Sequence, residues 1–142
     1  MYIHIIGGIE VNKNSLLLLR FASLFGVIGA ILGAHMAGSG SYLFRPVHAH
    51  ILVVGWLSLF AWAVYYKLFQ TTQTVMTKIH VWSAILGSCG LTIGMWLYMV
   101  KPFDLPEAFT LSFYIAGGVA LLISFIVFFL MTLFYREEAA DL

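Results

Sequence analysis

Apolar residues in this chain neither alternate nor keep to one stripe; they run on. Four stretches, about 14–37, 46–69, 78–99 and 107–135, are close to continuous in Leu, Ile, Val, Phe, Ala and Gly. At about 1.5 Å per residue each can cross roughly 30 Å of hydrocarbon as a helix. A helix that is apolar on every side has to be covered by lipid or protein. The pattern predicts an all-α integral membrane protein, a single domain over 1–142 with four spans in up-down order and both termini on one side.

The breaks between the runs support this division. Asn14 and Ser15 suit the start of the first helix. Gly38-Ser39-Gly40-Ser41 reads as a turn, and Pro46 suits the first position of the second helix, where its missing N–H is no loss. Gln70 to Thr77 is a polar connection, and Lys101 to Pro106 is a loop bounded by prolines. Residues 1–13, with His4, Gly7-Gly8 and Glu10, are too short and mixed to span, and predict an interfacial or loosely ordered lead with His4 toward solvent. Residues 136–142 form a charged tail. A signal peptide is not expected despite Ala34-His35-Met36-Ala37, because the preceding apolar run is too long for one. Small residues at Gly26, Gly29, Gly33 and Ala37, and again at Gly90 and Gly94, predict close helix–helix approach in lipid.

Composition sharpens the class. The 142 residues are 62% hydrophobic and 9% charged, with a net charge of +1 and a mean hydropathy of +0.99. No Lys/Arg cluster of the kind that tracks phosphates is present, so nucleic acid is not an expected partner. The lone Cys89 excludes an intrachain disulfide and reads as a packing residue. Lys13, Arg20, Lys67, Lys78 and Arg136 flank one side of the predicted spans, and only Arg45 and Lys101 flank the other. The positive-inside rule then predicts cytoplasmic termini. Aromatic residues near span ends, among them Tyr42, Phe44, Tyr65, Tyr66, Trp82, Tyr98, Phe134 and Tyr135, are expected to form an interfacial belt.

The candidate chemistry is carried by histidine. His48 and His50 fall inside the second run, and an ionisable side chain at membrane depth is costly enough to mark a site by default. Two residues apart on a helix they diverge by roughly 200°, so one centre on one face cannot take both. Either one is merely accommodated or the helix gives a ligand to each of two sites. Neutral imidazole binds iron or copper well. Arg45, just before Pro46, can face an anionic group at the outer surface. His35 lies at a depth comparable to His50 and is a candidate third ligand, a hydrogen-bond partner of a ligand, or a polar helix end. His80, within one turn of Lys78, is expected at the opposite interface. Met36, Met95 and Met99 are possible soft ligands for copper, though Met in a bundle more often packs. Every Asp and Glu reads as loop, interface or tail, which leaves no buried carboxylate for proton pumping.

Arg45-Pro46-Val47-His48, followed by a Leu/Val-rich run to Ala63-Val64-Tyr65-Tyr66, resembles the segment of subunit I of the haem–copper oxidase superfamily that carries a low-spin haem ligand. The likeness extends to the nitric oxide reductases and the cbb3-type oxidases. His48-Ala49-His50 is also similar to the His-x-His of a late helix in that subunit, where one histidine ligates the low-spin haem and the other the high-spin haem. The resemblance covers one helix. Subunit I has twelve helices in three arcs of four, and its copper-ligand histidines and cross-linked tyrosine have no counterpart here, so oxygen or nitric oxide reduction is not implied.

Three copies of a four-helix chain would imitate those three arcs. In such a homotrimer His48 of one protomer and His50 of its neighbour would hold a six-coordinate, bis-histidine haem b near the outer face, with propionates toward Arg45. The implied function is a b-type cytochrome in one-electron transfer near the outer face of a bacterial inner membrane, with a quinone or another cytochrome as possible redox partner and the lipid bilayer as its surroundings. The alternatives are a self-contained haem or gas-binding four-helix protein using His35, a copper-binding protein using His35, Met36, His48, His50 and Met95, and a haemless subunit of a larger respiratory complex.

Overall fold

A computed structural model describes residues 2–6, 9–69 and 75–134, with side chains described from Asn12 onward. The connection at 70–74 and the tail at 136–142 lie outside the described residues, as do Tyr135 and the side chain of His4. Four helices are long and apolar enough to cross a membrane: α1 Lys13–Ser39, α2 Arg45–Leu68, α3 Val75–Val100 and α4 Glu107–Leu133. Each lies within about three residues of its predicted span. The lead differs from expectation. Of the interfacial or loosely ordered lead expected, the second alternative does not hold: strands β1 Tyr2–Ile6 and β2 Ile9–Asn12 form an antiparallel ribbon that runs directly into α1. Asn12, not Asn14, caps that helix, its side-chain oxygen accepting from the Asn14 backbone N–H at 2.9 Å.

Glycine determines how closely the helices meet, because lipid tails are as apolar as leucine and contact rather than water drives association. On α1, Gly26, Gly29 and Gly33 receive Trp56, Leu52 and His48 of α2, in the descending order of an antiparallel pair. Gly55 returns the contact by admitting the ring of Phe25. Between α3 and α4 the approach is backbone to backbone: Gly87 meets Leu121, Gly90 meets Gly117 and Gly94 meets Tyr114. No side chain could replace Gly117 without striking the main chain of Gly90 and Leu91.

The two hairpins join through α2 and α3. Near mid-span Ser88 donates its hydroxyl to the Val54 carbonyl at 3.1 Å. At the end where α1 begins and α4 stops, the terminal end, Trp62 and Tyr66 of α2 meet His80 of α3. The opposite, loop end carries the 40–44 turn and the 101–106 loop.

Two stretches depart from α geometry. Ile51–Ser58 within α2 and Trp96–Val100 at the end of α3 are π-helical. Such wide turns loosen the ordinary backbone ladder and recur at functional sites. In α2 the wide turn begins directly after His50 and contains Val54, whose carbonyl also accepts from α3.

Candidate functional site

Pro46 starts α2 at its first turn, and the histidines follow within one further turn. Their rings go separate ways. His48 lies over α1, where a Cβ at Gly33 would stand 3.1 Å from its Cε1. Its Nδ1 is buried and has no hydrogen-bond partner. His50 turns its Nδ1 back to the Pro46 carbonyl at 2.9 Å. A carbonyl oxygen only accepts, so this nitrogen must carry the proton. In the neutral ring Nε2 is then left as a bare lone pair, and the imidazole is held in one orientation by its own helix.

This is the arrangement that a ligating histidine needs. Metal-bound imidazoles characteristically donate the other ring N–H to a carbonyl or carboxylate, which fixes the tautomer and raises ligand basicity. The donor set therefore fits a haem iron at His50. His48 lacks this support, since its Nδ1 is covered and has no hydrogen-bond partner within the protomer.

Arg45 is exposed, its guanidinium stacked 4.3 Å from the centre of the Tyr42 ring. Among the described residues it has no acidic partner, and the ion pair present at this end joins Lys101 to Glu107. His35 is exposed near the end of α1, its ring edge-on to Phe44 at 6.1 Å. Among the described residues no three His, Cys, Asp or Glu side chains gather as a metal-holding group. Met95 is buried, whereas Met99 is exposed.

His80, near the start of α3, is fully buried among the helices, as is Tyr66, which the sequence places in the aromatic belt. Tyr66 Oη lies 2.6 Å from His80 Nδ1, and Met131 Sδ is a longer acceptor at 3.8 Å. Trp62 stands edge-to-face with His80 at 4.8 Å, and Phe128 lies 5.3 Å from the same ring. His80 Nε2 finds no conventional partner. With the Tyr66 hydroxyl donating to Nδ1, the proton falls on Nε2, where the neighbouring aromatic faces are the weak acceptors at hand. The sequence signal for this cluster is the i, i+4 pair Trp62 and Tyr66, which share the buried face of α2; Tyr66 taken alone reads as interfacial from its place near the span end.

Compared with protein-family models, curated proteins and solved structures, the chain finds no match in any of the three.

Proposed function

We propose that the chain is a membrane-bound b-type cytochrome whose haem iron is held by histidines of the second helix, in one-electron transfer. The observation that carries this reading is the His50 Nδ1–Pro46 hydrogen bond, because it orients the ring and leaves Nε2 free to bind a metal. His48 of a neighbouring protomer is the second ligand in this reading, and three protomers complete the ring of sites. Arg45, unpaired by any acid among the described residues, supplies positive charge for the propionates. His50 and His48 would hold the haem, which would supply reversible single-electron chemistry. The protein's part is to orient the imidazoles and keep water away. The excess of Lys and Arg at the terminal end supports cytoplasmic termini in a bacterial inner membrane, with a quinone or a cytochrome exchanging electrons at the opposite face.

The test is the absorption spectrum of the purified protein after expression with haem supply. A Soret band and a split α/β pair on reduction support the reading, and their loss in His50→Ala assigns the ligand. A colourless wild type overturns it. A haemless role in a larger complex is the second reading, favoured by the seat of His48 on Gly33, which makes that imidazole an ordinary interhelical contact. It predicts that the colourless protein and its His48→Ala variant differ only in stability.

A further inference from the structure

Away from the histidine turn the bundle holds a second pair of chemistry-bearing side chains, Tyr66 and His80. Both are without solvent exposure, and the phenolic Oη stands 2.6 Å from Nδ1. An ionisable group sealed inside membrane-spanning helices marks a site by default, and the sealing limits what the site can do. No substrate reaches side chains at zero exposure, and no water carries a proton to or from them. An electron is not so limited, because it tunnels through packed rings. The chemistry open to the pair is therefore a one-electron change whose proton stays within the hydrogen bond.

The surroundings supply what such a change needs. Oxidation makes a phenol strongly acidic, and the Nδ1 lone pair of His80 lies within the reach required of a general base. The imidazolium so formed meets Trp62 with ring centres 4.8 Å apart and Phe128 at 5.3 Å. Both are within the roughly 6 Å over which an aromatic ring attracts a cation. A route for the electron leads outward: Trp62 packs 4.9 Å from Phe125, which is exposed on α4, a helix whose free sides face hydrocarbon in a membrane. Oxidants that reach Phe125 are therefore lipid-borne. Oxidised acyl chains generate organic peroxyl radicals, and phenols are general reductants of that class.

We propose that Tyr66 is a redox-active tyrosine that reduces lipid peroxyl radicals while His80 holds its proton. Tyr66 gives one electron outward through Trp62 and Phe125 and passes its phenolic proton to His80 Nδ1, becoming a neutral phenoxyl radical. The peroxyl radical becomes a peroxide anion, takes a proton from interfacial water and leaves as a hydroperoxide. A one-electron reductant of the quinol class returns the electron, and its released proton neutralises the hydroxide left at the interface. Nδ1 then hands its proton back to the phenolate. The proposal is independent of the cytochrome reading, since it uses neither His48 nor His50.

The test uses the full-length protein, labelled with nitrogen-15 histidine, in vesicles of dilinoleoyl phosphatidylcholine exposed to air and a lipid-soluble azo initiator. Samples frozen at intervals are read by pulsed electron paramagnetic resonance, and conjugated dienes by absorbance. The wild type is expected to accumulate a neutral tyrosyl radical coupled to an imidazole nitrogen and to slow diene formation. Tyr66→Phe, which keeps the ring, should lose both the coupled radical and the protection. His80→Phe should lose the nitrogen coupling and shorten the radical's lifetime. Tyr42→Phe, at an exposed position of the 40–44 turn, should leave the coupled radical unchanged. Because the coupling is read first on the unsubstituted protein, instability of a variant does not blunt the test. The proposal is overturned if the wild type forms no nitrogen-coupled tyrosyl radical, if Tyr66→Phe forms the same one, or if dienes form equally fast with wild type and Tyr66→Phe.

Discussion

Tyr66 and His80 face each other across the α2–α3 contact at 2.6 Å, both fully buried, and together they hold the terminal end of the bundle. Tyr66→Phe removes the hydroxyl and leaves His80 Nδ1 covered without a partner, for which the penalty is about 1–3 kcal/mol in a protein interior. Interhelical hydrogen bonds in membranes average nearer 0.6 kcal/mol, so the lower part of that range is expected. Tyr66→Phe combined with His80→Phe should cost less than the sum of the two single changes. Reversible unfolding in mixed micelles measures the cycle, and strict additivity would show that the two groups do not interact.

Gly117 permits main-chain contact between α3 and α4. Gly117→Val should destabilise the protein by roughly 1–3 kcal/mol, the usual result of forcing extra atoms into a packed contact. Gly38→Ala should leave thermal stability in detergent nearly unchanged, since a Cβ there meets nothing within 4 Å. Equal melting temperatures for the two variants would contradict this account of the packing.

Much of the fold was legible because span length and composition are physical requirements of the bilayer. The four runs, the Pro46 start and the small-residue contacts at Gly26, Gly29, Gly33, Gly90 and Gly94 all follow from that constraint. The burial of His80 was not legible. Proximity to Lys78 argued only for depth, whereas Lys78 and His80 lie two positions apart and so take different faces of α3, one exposed and one covered. The divergence expected for His48 and His50 agrees with their separate contacts, on Gly33 and on Pro46. Under the cytochrome reading, what each imidazole does beyond those contacts depends on a second chain and a cofactor, neither of which a periodicity reveals.

Gly33 offers a way to disturb His48 without altering it. A Cβ at this position presses on the imidazole at 3.1 Å, so Gly33→Val should displace the ring while His50 keeps its bond to Pro46. Under the cytochrome reading the reduced α band broadens or shifts and the midpoint potential moves, with haem partly retained. A spectrum identical to wild type, at full haem content, would remove His48 from the ligand set.

Ser88→Ala withdraws the hydroxyl that reaches the Val54 carbonyl in the wide turn. Loss of one interhelical bond of about 0.6 kcal/mol is expected, together with faster amide hydrogen exchange confined to Ile51–Ser58. Exchange that quickens evenly along α2 would mean that the bond has no local role.

The π stretch Ile51–Ser58 has a bearing on how this helix can tolerate changes in length. A wide turn amounts to one surplus residue absorbed without breaking the rod, and it sits between the histidine turn and the segment that carries Trp62 and Tyr66. Removing one residue from that stretch can be accommodated by relaxation to ordinary winding, whereas the same deletion at Ala61 would rotate everything beyond it by about 100°. The stretch thus acts as a slip joint: the two ends of α2 can each keep their own angular setting while the chain between them gains or sheds a residue.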